Sequence, residues 1–190
     1  KISYIRIQNF KSIRDLEITE LENALILVGK NNTGKTNVID AILAATGYHT
    51  VCTEEFLDPQ KSIDITLSIE FTEEDLQSYQ TRGMVSRHRD YEKWLEEFRS
   101  LIPSFQDNTV TFTFHINPEH KVRYNDGFQK NNPYIREIFP KIYHIDQTRN
   151  LDTLQNDVFS FYDKESFELL KDNTCTFDPA RKCNRCFQCI

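Results

Sequence analysis

Residues 28–40 read V-G-K-N-N-T-G-K-T-N-V-I-D, and this stretch limits what the chain can fold into more than any other. Gly29, Gly34, Lys35 and Thr36 fill every fixed position of G-x-x-x-x-G-K-[ST]. The apolar run at residues 24–28 predicts a strand in front of the loop. Behind it, Val38, Ile39, Ala41, Ile42 and Leu43 carry the spacing of a helix face. Strand, glycine-rich loop and helix together make a phosphate cradle. Glycine lets the backbone curl so that successive N–H groups point at anionic oxygens, and the helix brings its positive N-terminal end to the same place. A lysine at position 35 supplies a point charge to the β- and γ-phosphates, and a hydroxyl at position 36 ligates Mg²⁺. The expected ligand is a nucleoside triphosphate with its magnesium ion.

At 190 residues, with 38% hydrophobic and 27% charged side chains, the chain suits one globular domain. Fourteen Phe and eight Tyr supply core material that disordered chains lack. No apolar run approaches the ~20 residues that span a bilayer, and the N-terminus has no signal-peptide layout. The expectation is a cytoplasmic protein without a membrane partner. A net charge of −6 disfavours a surface that is basic throughout, although a local patch could still meet nucleic acid. Arg82, Arg87, His88, Arg89, Lys93 and Arg99, interleaved with Tyr91 and Trp94, form the richest such segment. Asp90, Glu92, Glu96 and Glu97 in the same stretch favour a solvated helix face with internal ion pairs.

Alternation predicts strands over residues 2–9, 15–20, 62–71 and 109–116, with 120–124 pairing across the Asn117-Pro118-Glu119 turn and a further strand at 141–145. Helices are expected at 35–46, ending at Gly47, over much of 73–104 with a break at Gly83, and at 134–139. Two short helical segments are expected near 150–157 and 163–171.

Cys183, Cys186 and Cys189 repeat at C-x-x-C-x-x-C spacing, with Cys175 eight positions before the first. Thiolates so spaced can hold one ion from a tight turn, and Cys175 or a residue beyond would complete a tetrahedron. Arg181, Lys182 and Arg185 favour the thiolate form. Zinc is the leading expectation, an iron–sulfur cluster the second, and unliganded thiols the plain alternative. Glu54-Glu55 and Glu73-Glu74 are adjacent pairs whose side chains diverge, so they are expected as solvated caps and not as metal ligands. His115 and His120 are expected as ordinary surface or core histidines, and Cys52 as a buried or loop thiol.

Three separated segments resemble the RecF/SMC/OLD class of ABC-type ATPases. The opening I-x-I-x-N-F-K-S-I (Ile5, Ile7, Asn9, Phe10, Lys11, Ser12, Ile13) is similar to that class's first strand and turn. The loop G-K-N-N-T-G-K-T, with Asn31 at its third position, resembles the G-x-N-x-x-G-K-[ST] variant. Residues 142–147, I-Y-H-I-D-Q, look like a strand ending in the Q-loop glutamine. The resemblance covers about residues 1–50 and 141–148. It implies an α/β fold, a P-loop NTPase lobe with a mixed β-sheet around the phosphate-loop helix. That lobe would span 1–148 with a helical insertion at about 73–104, followed by a helical extension and Cys-rich tail at 149–190.

The resemblance also implies roles. Lys11 and Ser12 would lie near the phosphates or ribose. Gly29, Asn31, Asn32, Thr33, Gly34, Lys35, Thr36 and Asn37 would hold the phosphates and Mg²⁺. Gln147 would reach Mg²⁺ or the attacking water, leaving Lys35 and Gln147 as the residues nearest the chemistry. Neither an L-S-G-G-type signature nor an apolar strand ending in Asp-Glu occurs here. The chain therefore resembles the first lobe of a larger head, expected alone to bind ATP weakly and hydrolyse it scarcely. In such heads ATP drives pairing with a second head through the missing lobe, gating DNA handling or an attached nuclease in repair or phage defence. An ATP-sensing module that controls a partner effector, or a metal-stabilised interaction domain with a vestigial loop, are the alternatives.

Overall fold

The computed structural model describes residues 1–19, 21, 24–28, 34–140 and 142. Alternating apolar residues build a sheet of six strands among them: β1 (Ile2–Phe10), β2 (Ile13–Ile18), β3 (Ile63–Glu70), β4 (Phe105–Gln106), β5 (Thr109–Ile116) and β6 (Val122–Asn125). The order is β2-β1-β3-β5-β4, with β6 also paired to β5, and every ladder is antiparallel. Period-two alternation sends one set of side chains inward. Ile5, Leu67 and Phe112 line up across three strands, as do Ile7, Ile65 and Phe114, and all six are buried. Burial of each such side chain contributes about 1.5–3 kcal/mol.

The opposite face is polar, and the register pairs it chemically. Asp64 meets His115 at 2.7 Å, Thr66 meets Thr113 at 2.8 Å, and Ser68 meets Thr111 at 2.7 Å. Arg6 grips Asp15 through two hydrogen bonds of 3.1 and 2.9 Å.

Helix α1 (Lys35–Ala45) lies against β1 and β3. Of its five buried residues, Val38, Ala41, Ala44 and Ala45 join the core cluster and are small, so the backbone can approach the sheet closely, while Leu43 is buried outside that cluster. The helix ends where Thr46 Oγ1 donates to the Ile42 carbonyl and Gly47 turns to φ +84°. The insertion is two helices, interrupted at Gly83 as expected. Helix α2 (Glu73–Thr81) opens with a capping box between Thr72 and Asp75, and α3 (Tyr91–Leu101) is capped by Asp90. Residues 82–90 between them are not helical, so Arg82, Arg87, His88 and Arg89 do not form the solvated helix face that the composition suggested. Left-handed Gly83 and Val85 turn the chain there, and the Val85 amide donates to Glu137. Trp94 is fully buried, stacks on Tyr91 and packs against Phe98, so it serves the core. The helix expected at 134–139 is a 3₁₀ turn, Pro133–Ile138.

Residues 24–28 carry no strand, contrary to their apolar run. A strand exists by hydrogen bonding to a neighbour, and no ladder among the described residues includes this segment. Leu27 packs against the core, whereas Ile26 and Val28 are 82% and 90% exposed.

Asn9 is the buried hinge of the β1–β2 connection. It adopts φ +61°, which asparagine tolerates better than most residues. Its Nδ2 lies 3.0, 2.9 and 3.2 Å from the carbonyls of Asp58, Lys61 and Ser62, and its Oδ1 accepts from the Asp58 amide at 2.7 Å. One side chain thus fixes the loop before β3 to the end of β1. Asn9→Ala would orphan those groups and is expected to cost about 2–3 kcal/mol, read as a lower urea midpoint at unchanged slope.

Candidate functional site

Gly34 precedes α1 at φ +86°, in the left-handed region. A Cβ there would stand 3.2 Å from Ser12 Oγ and 3.8 Å from Asn37 Nδ2. The positive φ favours glycine, and a Cβ would also have to displace the Ser12 hydroxyl by a few tenths of an ångström. Lys35 and Thr36 form the first turn of the helix, which has no side-chain cap and no acidic residue. That first turn thus carries no carboxylate of its own against its amides and positive pole, as suits an anion-binding helix end. The residues present fit a triphosphate and its Mg²⁺: a cradle narrowed by glycine, a lysine and a threonine on the opening turn.

The turn between β1 and β2 closes over this helix. Asn37 Nδ2 donates to Ser12 Oγ at 2.8 Å. Lys11, at φ +51°, sends Nζ to Asp40 Oδ2 at 2.6 Å and to Glu55 Oε1 at 3.1 Å. Its amide donates to the Glu55 carbonyl at 2.6 Å. His49 Nε2 stands 2.8 and 2.9 Å from the two Glu55 carboxylate oxygens, and the Cys52 amide donates to Oε2 at 3.0 Å. Burial pushes the Glu55 carboxyl up, but the Cys52 amide, His49 and Lys11 outweigh it and hold the group at about 2. Burial likewise pulls the Lys11 ammonium down, and the Asp40 and Glu55 carboxylates more than reverse that.

The family model for the AAA ATPase domain matches residues 1–183. The chain belongs to the AAA ATPase domain family. ATP is therefore the nucleotide its family implies, with Mg²⁺, and the likeness of residues 1–50 to ABC-type RecF/SMC-class ATPases agrees with that assignment. None of the curated proteins matches the chain. Among solved structures, one from work on ATP-driven dimerization and DNA-stimulated activation of SMC ATPases is 17% identical, with a TM-score of 0.45. The similarity covers 90% of this chain and 97% of that one. An Smc head bound to the C-terminal winged-helix domain of ScpA is 15% identical at a TM-score of 0.40, over 65% of this chain and 34% of that one. An Smc head with coiled coil and joint derived from Pyrococcus yayanosii is 16% identical at 0.45, over 72% and 24%. The chain thus spans about a third and a quarter of the last two.

Of the site residues read from this ATPase-domain sequence, the structure brings Lys11, Ser12, Gly34, Lys35, Thr36 and Asn37 to the β1–β2 turn and the start of α1. Gly29, Asn31, Asn32, Thr33 and Gln147 lie outside the described residues, as do Cys175, Cys183, Cys186 and Cys189. Among the described residues no group of His, Cys, Asp and Glu could hold a metal ion, and no helix is long and apolar enough to cross a membrane. Sequence reasoning missed Asp40, His49 and Glu55. Glu55 caps its 3₁₀ turn as expected, accepting from the Cys52 amide, but it is not solvated: it turns inward to Lys11 and His49 and is buried. The only available signal was the i, i+3 spacing of Asn37 and Asp40, which puts them on one helix face. His115 pairs with Asp64, while His120 reaches Thr53 and edges onto Phe56. Cys52 is an exposed loop thiol. Its slight burial, with Glu55 and Glu54 nearby, pushes its pKa up and away from thiolate chemistry.

Gly34→Ala is expected to cost about 1–2 kcal/mol from left-handed strain alone, seen as a lower melting temperature. Glu55 has its folded pKa below the ordinary 4.5, so its stabilisation is complete above that value and is lost as pH falls toward about 2. Glu55→Gln is therefore expected to lower the denaturation midpoint at neutral pH and to flatten its decline across that acid window.

Proposed function

We propose that this chain is the first lobe of an ATP-binding head of the RecF/SMC/OLD type. Residues 29–37 cradle the triphosphate of Mg-ATP, and Ser12 borders it from the β1–β2 turn. The observation that carries this reading is the start of α1. A left-handed glycine packed against Ser12 leads into a helix turn that bears Lys35 and Thr36 and no carboxylate. In this reading Lys35 draws charge from the β- and γ-phosphates and Thr36 ligates Mg²⁺. Gln147 approaches the metal or the attacking water from the far side of the site. Hydrolysis and head pairing require a second lobe. By likeness to the SMC ATPases, ATP-driven dimerisation would control DNA handling, or a nuclease joined to the head, in repair or phage defence. The Cys175, Cys183, Cys186 and Cys189 set would bind structural zinc, to be checked by metal content after purification without chelator.

Calorimetry with Mg-ATP tests the phosphate site. Wild type is expected to bind, and Lys35→Ala to bind roughly ten- to a hundredfold more weakly, the worth of a charge-assisted contact. Equal affinity of the two would sink the reading. Duplex DNA added to the ATP-bound protein separates a DNA-handling head from an ATP sensor that acts on another effector.

A further inference from the structure

We propose that Lys11 serves the nucleotide site as a positioning residue, clamped by Asp40 and Glu55, and does not itself touch the phosphates. The proposal rests on the reading of residues 29–37 as an ATP cradle. Lys11 is the cation of the β1–β2 turn, next to Ser12, which bonds Asn37, and a direct phosphate contact is the obvious role for it. The geometry gives it a different one. Its ammonium lies 2.6 Å from Asp40 on α1 and 3.1 Å from Glu55 on the 3₁₀ turn Thr53–Glu55. Glu55 is fixed in turn by His49 and by the Cys52 amide. Swinging Lys11 away would leave two part-buried carboxylates without their shared cation, a costly state in a region of reduced dielectric.

The clamp also explains how the turn is placed. Asn37 and Asp40 are three residues apart on α1 and take hold of two successive turn residues, Ser12 and Lys11. A two-point attachment of this kind sets both the distance and the tilt of the turn against the helix that carries Lys35 and Thr36. Without Asp40 the turn would keep its links to the segment before β3, through the Lys11 amide and Asn9, but among the described residues its hydrogen bonding to α1 would fall to the Asn37 bond. Lys11 has an electrostatic duty as well. It offsets one of two carboxylates that would otherwise repel a triphosphate.

Loss of ATP affinity on removing Lys11 alone therefore decides nothing, since direct contact and clamping both predict it. A mutant cycle separates them. Lys11→Gln is expected to weaken Mg-ATP binding by about tenfold in the wild-type background. In the Asp40→Asn, Glu55→Gln background the same substitution is expected to change affinity less than about twofold, because the groups through which Lys11 acts are gone. A similar tenfold loss in both backgrounds would overturn the proposal and make Lys11 a phosphate ligand. Amide hydrogen exchange on nucleotide-free protein tests the clamp independently. Asp40→Asn, Glu55→Gln should speed exchange through residues 9–13 relative to wild type, and unchanged exchange there would overturn the clamp even if the chain bound no ATP. Absence of Mg-ATP binding by wild type would instead count against the cradle reading itself.

Discussion

Because α1 turns an alanine-rich face to β1 and β3, its axis lies close to the sheet, and its first turn falls beside the end of β1. Val38, Ala41, Ala44 and Ala45 leave no room for a thicker interface, so a larger residue at any of these positions would push the helix away and carry Lys35 and Thr36 with it. The site is therefore fixed from beneath by packing. Hydrogen bonds at its rim refine a position that the core has already set.

Above that base the arrangement depends on residues that keep backbone in the left-handed region. Asn9 and Lys11 both have positive φ, as does Gly34 across from them. Three such residues within one small region allow the β1–β2 turn to fold down onto the helix start instead of continuing away from the sheet. Asn9 secures this with a side chain that accepts from one amide and shares its two N–H donors among three carbonyls, so the strain is held by hydrogen bonds a smaller side chain could not replace.

Charge is distributed just as unevenly. The helix start carries no acid in its first turn, yet one turn further on Asp40 meets Lys11, and Glu55 with its own histidine joins them. Anion-attracting and cation-holding groups are thereby separated along a single helix: the backbone pole is at the Gly34 end, and the Asp40 carboxylate is offset to the side where the turn docks. The polar face of the sheet, with matched Thr–Thr, Ser–Thr and Asp–His pairs, takes no part in this and serves pairing register.

Local chemistry alone determined much of this protein. Period-two alternation located β1, β3 and β5 to within a residue or two, because inward Ile and Phe must recur at every second position to be buried. Gly34 before α1 and Gly47 after it bounded the helix for equally local reasons. Tertiary structure decided what depends on partners distant in sequence. Residues 24–28 look like a strand, but a strand needs a ladder, and none among the described residues includes them. The 82–90 linker has a helix-like charge pattern, yet Gly83 and Val85 turn the chain and Glu137, far along the sequence, holds it. Asp40, His49 and Glu55 carry no motif at all. They become a site only when α1, the following loop and the β1–β2 turn converge on one lysine, a meeting that spacing along the chain cannot show.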